Sequence, residues 1–144
     1  MDLLQSLNYL AENPCKARLY SIKGRSEEKP VAICFSSYDQ LMDYLPSAPA
    51  DLIHTLLPGP VTLVLPREAS IPDHVNPNTT TVACRIPAHN LTRSLCTELG
   101  PLCLTSANKS GFRSAITTND FADLKPHLDC IVDQGTIKDN ALSR

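Results

Sequence analysis

Apolar residues in this chain gather in short runs cut by prolines and polar clusters, and their spacing switches between helix-like and strand-like. NPCKARLYSIKG (residues 13–24) reads as a helix. Asn13 can cap it, Pro14 suits its first turn, Ala17, Leu19, Tyr20 and Ile22 supply apolar positions, and Gly24 ends it. PVAICF (30–35) is a short apolar run with β-branched residues and predicts a buried strand. Residues 37–45 and 49–57 predict two short helices, the first with Leu41, Tyr44 and Leu45 as its apolar stripe. Pro58-Gly59-Pro60 breaks the chain ahead of a strand at 61–65, which Pro66 ends.

The second half continues the alternation. A polar, proline-rich loop, SIPDHVNPNTTT (70–81), leads into TVACRIP (81–87), a strand whose apolar residues are interrupted by Arg85. HNLTRSLCTELG (89–100) predicts a helix with Gly100 just past its end. PLCLTS (101–106) predicts a strand and ANKSG (107–111) a loop. Thr117 and Thr118 cap a helix at about 119–125, and DCIVD (129–133) predicts the last strand, with a polar tail over 136–144. Residues 1–12 carry no start signal. Strands alternating with helices, several apolar on both faces, predict an α/β sheet covered by helices, in one domain spanning 1–144.

Composition narrows the functions open to such a fold. With 42% hydrophobic and 19% charged residues over 144 positions, a packed core is expected. A net charge of −2 excludes binding of polyanions through overall charge and leaves a local cationic cleft as the route. No basic stretch precedes a long apolar run, so neither a signal peptide nor a membrane span is expected; a cytoplasmic location is, with a mitochondrial one second to it. Six cysteines without C-x-x-C spacing read as reduced core residues, Cys34, Cys84, Cys103 and Cys130 lying in strand-like runs. The four histidines lack metal-ligand spacing, and no nucleophile elbow, phosphate-binding lysine loop or dinucleotide fingerprint is present.

Three stretches can carry chemistry. In KGR, Lys23 offers a compact ammonium and Arg25 a planar fork, either for phosphate oxygens or simply as cations at a helix C-terminus. In TSANKSG, Ser106 and Asn108 offer donors and acceptors at the carboxyl end of a strand, where ligands of open α/β sheets bind; an ordinary turn has the same composition. Arg85 either faces solvent at an edge or is held by an anion or carboxylate.

The blocks LYSIKGRSEEKPVAICFSS, LLPGPVTLVLPR, TVACRIPAH, GPLCLTSANKSG and CIVDQG, in this order, resemble the YrdC-like threonylcarbamoyl-AMP synthase family over about residues 13–135. The family's K-x-R and later S-x-N are met by Lys23, Arg25, Ser106 and Asn108. The resemblance implies a twisted, open, mixed α/β sheet with a concave cationic cavity. It also implies condensation of L-threonine, bicarbonate and ATP into threonylcarbamoyl-AMP and pyrophosphate. A downstream transferase complex uses that product to modify tRNA. On this matching, Lys23, Arg25 and Lys29 would neutralise ATP phosphates together with Mg²⁺, and Thr81 and Ser110 would touch the nucleotide. Arg85 and Asn108 would hold threonine, and Ser106 would line the join between the substrates. A tRNA or double-stranded RNA is a further expected partner.

The chain also departs from that family. Its P-T-D-T-x-Y-G-L segment is reduced here to SLNYLAENP, of which Tyr9 and Leu10 echo the end, and its S-T-V-V-D strand would begin where NALSR stands. Terminal strands are therefore expected to be lacking and activity to be reduced. The competing expectation is a catalytically impaired nucleotide- or RNA-binding module or fragment.

Overall fold

The computed structural model describes residues 2–6, 14–26, 29–109, 111–113 and 115–136, with backbone alone for 2–6 and 14–17. In chain order the elements are β1 (Asp2–Ser6), α1 (Pro14–Lys23), β2 (Ala32–Cys34), α2 (Tyr38–Tyr44), α3 (Ala50–Leu56), β3 (Leu63–Pro66), β4 (Thr81–Arg85), α4 (Asn90–Leu99) and β5 (Leu102–Ser106). A 3-10 segment, Thr118–His127, follows. The strands form one mixed sheet in the order β1-β5-β2-β4-β3. Only β2 and β4 run parallel; the other three pairings are antiparallel. None of the described helices is long and apolar enough to cross a membrane.

Local signals explain most boundaries. Ser37 Oγ accepts from Gln40 N–H at 3.1 Å and starts α2. A ring nitrogen of His89 accepts from Thr92 N–H at 3.3 Å and starts α4, and Gly100, at φ 80°, releases the chain into β5. Gly59 is required by space: a Cβ there would meet the Leu56 carbonyl oxygen at 2.5 Å, while its N–H reaches Ile86 O at 2.9 Å.

The two sheet faces are packed differently. Register and alternation put Val31, Ile33, Phe35, Val82, Cys84, Ile86 and Cys103 on one face, within the main core that includes Tyr20, Leu41, Ile53 and Leu124. Burial pushes the Cys84 thiol up to about 12, as expected for a cysteine used as a small apolar residue. The opposite face carries Cys34, Leu102 and Leu104, covered by Cys96 of α4. Beyond that cover, on β3 and β4, the same face stays open: Val64 is 66% exposed and Ala83 only half-buried.

Two expectations are corrected. The expected lack of terminal strands does not hold at the N-terminal end: β1 pairs antiparallel with β5, from Asp2 opposite Ser106 to Ser6 opposite Leu102, in a stretch that gave no signal as a sequence. Residues 129–133 form no strand. Arg18 Nη1 and Nη2 bond the Asp129 carboxylate at 2.8 and 3.0 Å, Thr118 Oγ1 bonds Asp133 at 2.9 Å, and Ile131, Val132 and Cys130 stay exposed. The helix expected at about 119–125 forms as a 3-10 segment capped by Thr117, kinked where Phe121 leaves helical angles and containing Pro126.

The proline-rich loop is fastened rather than loose. Arg67, at the end of β3, donates to the carbonyls of Val75 and Pro72, both at 2.7 Å, and of Asn76 at 3.0 Å. Buried Asn76 in turn mimics a strand partner for Val31, its Oδ1 accepting from Val31 N–H at 2.8 Å and its Nδ2 donating to Val31 O at 2.7 Å. Asn76→Ala leaves both Val31 groups unpaired. It is expected to lower stability by about 2 kcal/mol or more, read as a lower denaturant midpoint with an unchanged slope.

Acid should loosen the 116–136 region first. Backbone N–H groups of Thr117 and Ile116 hold the Asp120 carboxyl below its ordinary 3.8; the Arg18 hydrogen bond does so for Asp129, and the Gly135 N–H for Asp133. A folded-state value below the unfolded one gives stabilisation that is present above 3.8 and is lost as pH falls through the lower folded values. Amide exchange at Ile116, Thr117 and Gly135, corrected for intrinsic rates, should lose protection below that pH before the sheet does.

Candidate functional site

The site is built where α1 ends against the end of β5. α1 delivers Lys23 into the interior, 2% exposed. Its ammonium donates to Thr105 Oγ1 at 2.8 Å, to the Ser106 carbonyl, and more weakly to Ser106 Oγ at 3.4 Å. The Ser106 carbonyl also accepts from Asn108 N–H at 3.0 Å. Lys23 and the turn of Ser106 and Asn108, more than eighty positions apart in sequence, thus meet at one carbonyl oxygen. Because Lys23 directs its hydrogen bonds inward, its charge reaches the surface as a field behind the Ser106 turn.

Arg25 stands at the same end of the sheet. Its Nη2 donates to Pro30 O at 2.7 Å, just ahead of β2, and its guanidinium carbon lies 6.0 Å from the Tyr20 ring centroid. The Tyr20 hydroxyl donates to Lys29 O at 2.6 Å, which closes the turn that carries Arg25. Lys29 itself is exposed. Thr81, exposed, opens β4 opposite Pro66. Counting the register outward from Ala32, which pairs with both Ala83 and Leu104, places Thr81 and Ser106 in one row and on one face.

Arg85 shares that face but not that end. It pairs with Cys34, four residues further along β4 than Thr81, about 13 Å at the usual rise per residue. The structure therefore gathers Lys23, Arg25, Ser106 and Asn108 at one end of the sheet, with Thr81 at that same end and Arg85 at the other. Ser110 lies outside the described residues.

Unpaired polar atoms mark the same residues. Arg25 Nε, Arg85 Nε and Asn108 Oδ1 are buried with no hydrogen-bond partner among the described residues. Native proteins leave few such atoms, and each calls for a physical reason. Two donors and one acceptor without partners are what a ligand with anionic and hydroxyl groups would complete. Sequence reasoning missed Thr105 and Tyr20. Thr105 lies inside an apolar strand and Tyr20 reads as a core residue, so neither carried a signal of its own.

The fold and the arrangement of the site define the class: an α/β protein of the YrdC type. The chain belongs to the Sua5/YciO/YrdC family, whose model, described as telomere recombination, matches residues 10–143. It is similar to the threonylcarbamoyl-AMP synthase of Bos taurus, at 43% identity over 84% of this chain and 45% of the relative. The Homo sapiens synthase is 42% identical over 87% of this chain and 47% of that protein. The crystal structure of Pyrococcus abyssi Sua5 complexed with L-threonine superposes with a TM-score of 0.81 at 33% identity, over 94% of this chain and 41% of that one. The chain thus spans about half the length of the curated relatives it matches.

Lys23→Ala removes a buried stem and the donor to Thr105 and Ser106. It is expected to lower stability by about 2–4 kcal/mol. Lys23→Met keeps the stem's packing and should cost less. Equal losses in urea unfolding would assign the whole effect to the ammonium.

Proposed function

We propose that this chain acts as a threonylcarbamoyl-AMP synthase core, condensing L-threonine, bicarbonate and ATP to threonylcarbamoyl-AMP and pyrophosphate. The observation that carries this reading is the junction at Ser106, where the lysine of the K-x-R motif and the asparagine of the S-x-N motif bond one carbonyl. The curated relatives named as synthases, and the relative whose crystal structure contains L-threonine, support it.

In this reading the threonine amine captures bicarbonate as a carbamate with loss of water. A carbamate oxygen then attacks the α-phosphorus of ATP, and the bond to pyrophosphate breaks. Negative charge stays on phosphate oxygens throughout, so fixed cations and positioning do most of the work. Arg25, with Nε open, donates to the phosphates; Lys23 adds its field from behind; Lys29 and Thr81 flank the nucleotide. Arg85, some 13 Å further along β4, takes the threonine carboxylate at the other end of an elongated product. Asn108 Oδ1 accepts from a substrate hydroxyl or amine near the join.

Among the described residues no group of three or more His, Cys, Asp or Glu side chains could hold a metal ion. The Mg²⁺ expected from the family would be held mainly by the phosphates of its nucleotide and by water, and no step is assigned to it. A tRNA partner, a downstream transferase complex and a cytoplasmic or mitochondrial location remain parts of the same proposal.

Pyrophosphate release should require ATP, threonine and bicarbonate together, and Arg25→Ala should reduce it at least tenfold, about 1.4 kcal/mol of transition-state stabilisation. Calorimetric titration should show ATP and threonine strengthening one another's binding. ATP binding without that coupling would favour a nucleotide-binding module that lacks the synthase reaction, a reading prompted by the reduced SLNYLAENP segment.

A further inference from the structure

Phe112 is the most exposed large apolar side chain among the described residues, at 71%. Exposure alone would mean little, because single apolar residues on a surface are common. What sets Phe112 apart is how its backbone is held. Its N–H bonds Lys109 O at 3.1 Å, and its carbonyl accepts from Asn108 Nδ2 at 2.7 Å. Gly111, at φ +89°, makes the turn between them, and Lys109 is anchored to Asp123 at 3.0 Å. The backbone of Phe112 is thus held at both of its polar groups.

That turn belongs to the junction described above. Asn108, which fixes the Phe112 carbonyl, also donates through its own N–H to the Ser106 carbonyl that Lys23 bonds. A short chain of hydrogen bonds therefore links an exposed aromatic face to the cationic end of the site. Arg113, exposed, follows it directly and adds a second planar group. An aromatic ring beside an arginine is the combination on which nucleobases stack, whatever their identity.

We propose that Phe112 is the platform for the base of the nucleotide whose phosphates face Arg25. The ring would stack on adenine while Asn108 sets its distance from the phosphate end. This rests on the nucleotide reading above and adds to it a base-binding residue. The occupant is the base of ATP rather than a base of RNA, because the platform is wired to the phosphate-facing junction and not to a separate surface.

The chain contains no tryptophan, so Phe112→Trp installs a single emitting reporter at the site. ATP should quench that emission. Tripolyphosphate, which has no base, should compete with ATP yet leave the emission unchanged. Phe112→Ala should weaken ATP binding on the order of 5- to 100-fold, with tripolyphosphate affinity retained. Unchanged ATP affinity in Phe112→Ala, or equal weakening of both ligands, overturns the platform while leaving the phosphate site intact. Quenching by a single-stranded oligoribonucleotide but not by ATP overturns it in favour of RNA. Failure of the unsubstituted chain to bind either ATP or tripolyphosphate removes the nucleotide reading, and the platform falls with it.

Discussion

A buried ammonium sets the geometry on which everything else at this site depends. An amine taken out of water must find acceptors in fixed directions, or the fold loses several kcal/mol. Lys23 finds Thr105 and Ser106, at the end of the one strand that lies between β1 and β2. Satisfying that cation therefore fixes the end of α1 against the end of β5. The turn after β5 inherits a fixed starting point, since the same Ser106 carbonyl also receives Asn108 N–H. Placement of the cations and placement of the hydroxyl–amide turn are thus one structural event.

The sheet's two faces divide the labour between stability and access. One face is sealed by α1, α2, α3 and the 3-10 segment through Tyr20, Leu41, Ile53 and Leu124. The other is only partly covered, by α4 over Cys34, Leu102 and Leu104. Thr81, Arg85 and Ser106 lie on this second face, where the cover of α4 leaves β3 and β4 open. Arg67 and Asn76 make that opening affordable. They lace the loop between β3 and β4 to Val31, so the open strands are held from their ends instead of from above.

Much of this was legible in the sequence, and the exceptions have physical reasons. α1, α4, β4 and β5 fall where periodicity and Gly24, Gly100 and Ser106 put their limits. Those signals are local, and local physics decides them. β1 was missed because an edge strand needs a partner more than a pattern, and its partner, β5, lies a hundred residues away. CIVD was misread for the converse reason: β-branched residues favour a strand only where a sheet edge accepts them, and here side-chain bonds to Arg18 and Thr118 hold the segment instead. The K-x-R and S-x-N motifs were visible as residues, and the family resemblance suggested that they act together. Their meeting at one carbonyl, like the role of Asn76, is long-range and left no trace in spacing.

The polar atoms left open complete the argument. A chain selected only for stability gains by pairing every buried donor and acceptor, because each unpaired one costs about 1–3 kcal/mol. Among the described residues Arg25 Nε, Arg85 Nε and Asn108 Oδ1 are such atoms, on residues already singled out by their chemistry. Deficits on two arginines and an amide, toward opposite ends of the sheet, are of the kind that an anionic or hydroxyl-bearing group satisfies. A donor already taken out of water has less to lose on meeting an anion than one that must first shed its hydration, so these positions are where a charged group would bind with least reorganisation.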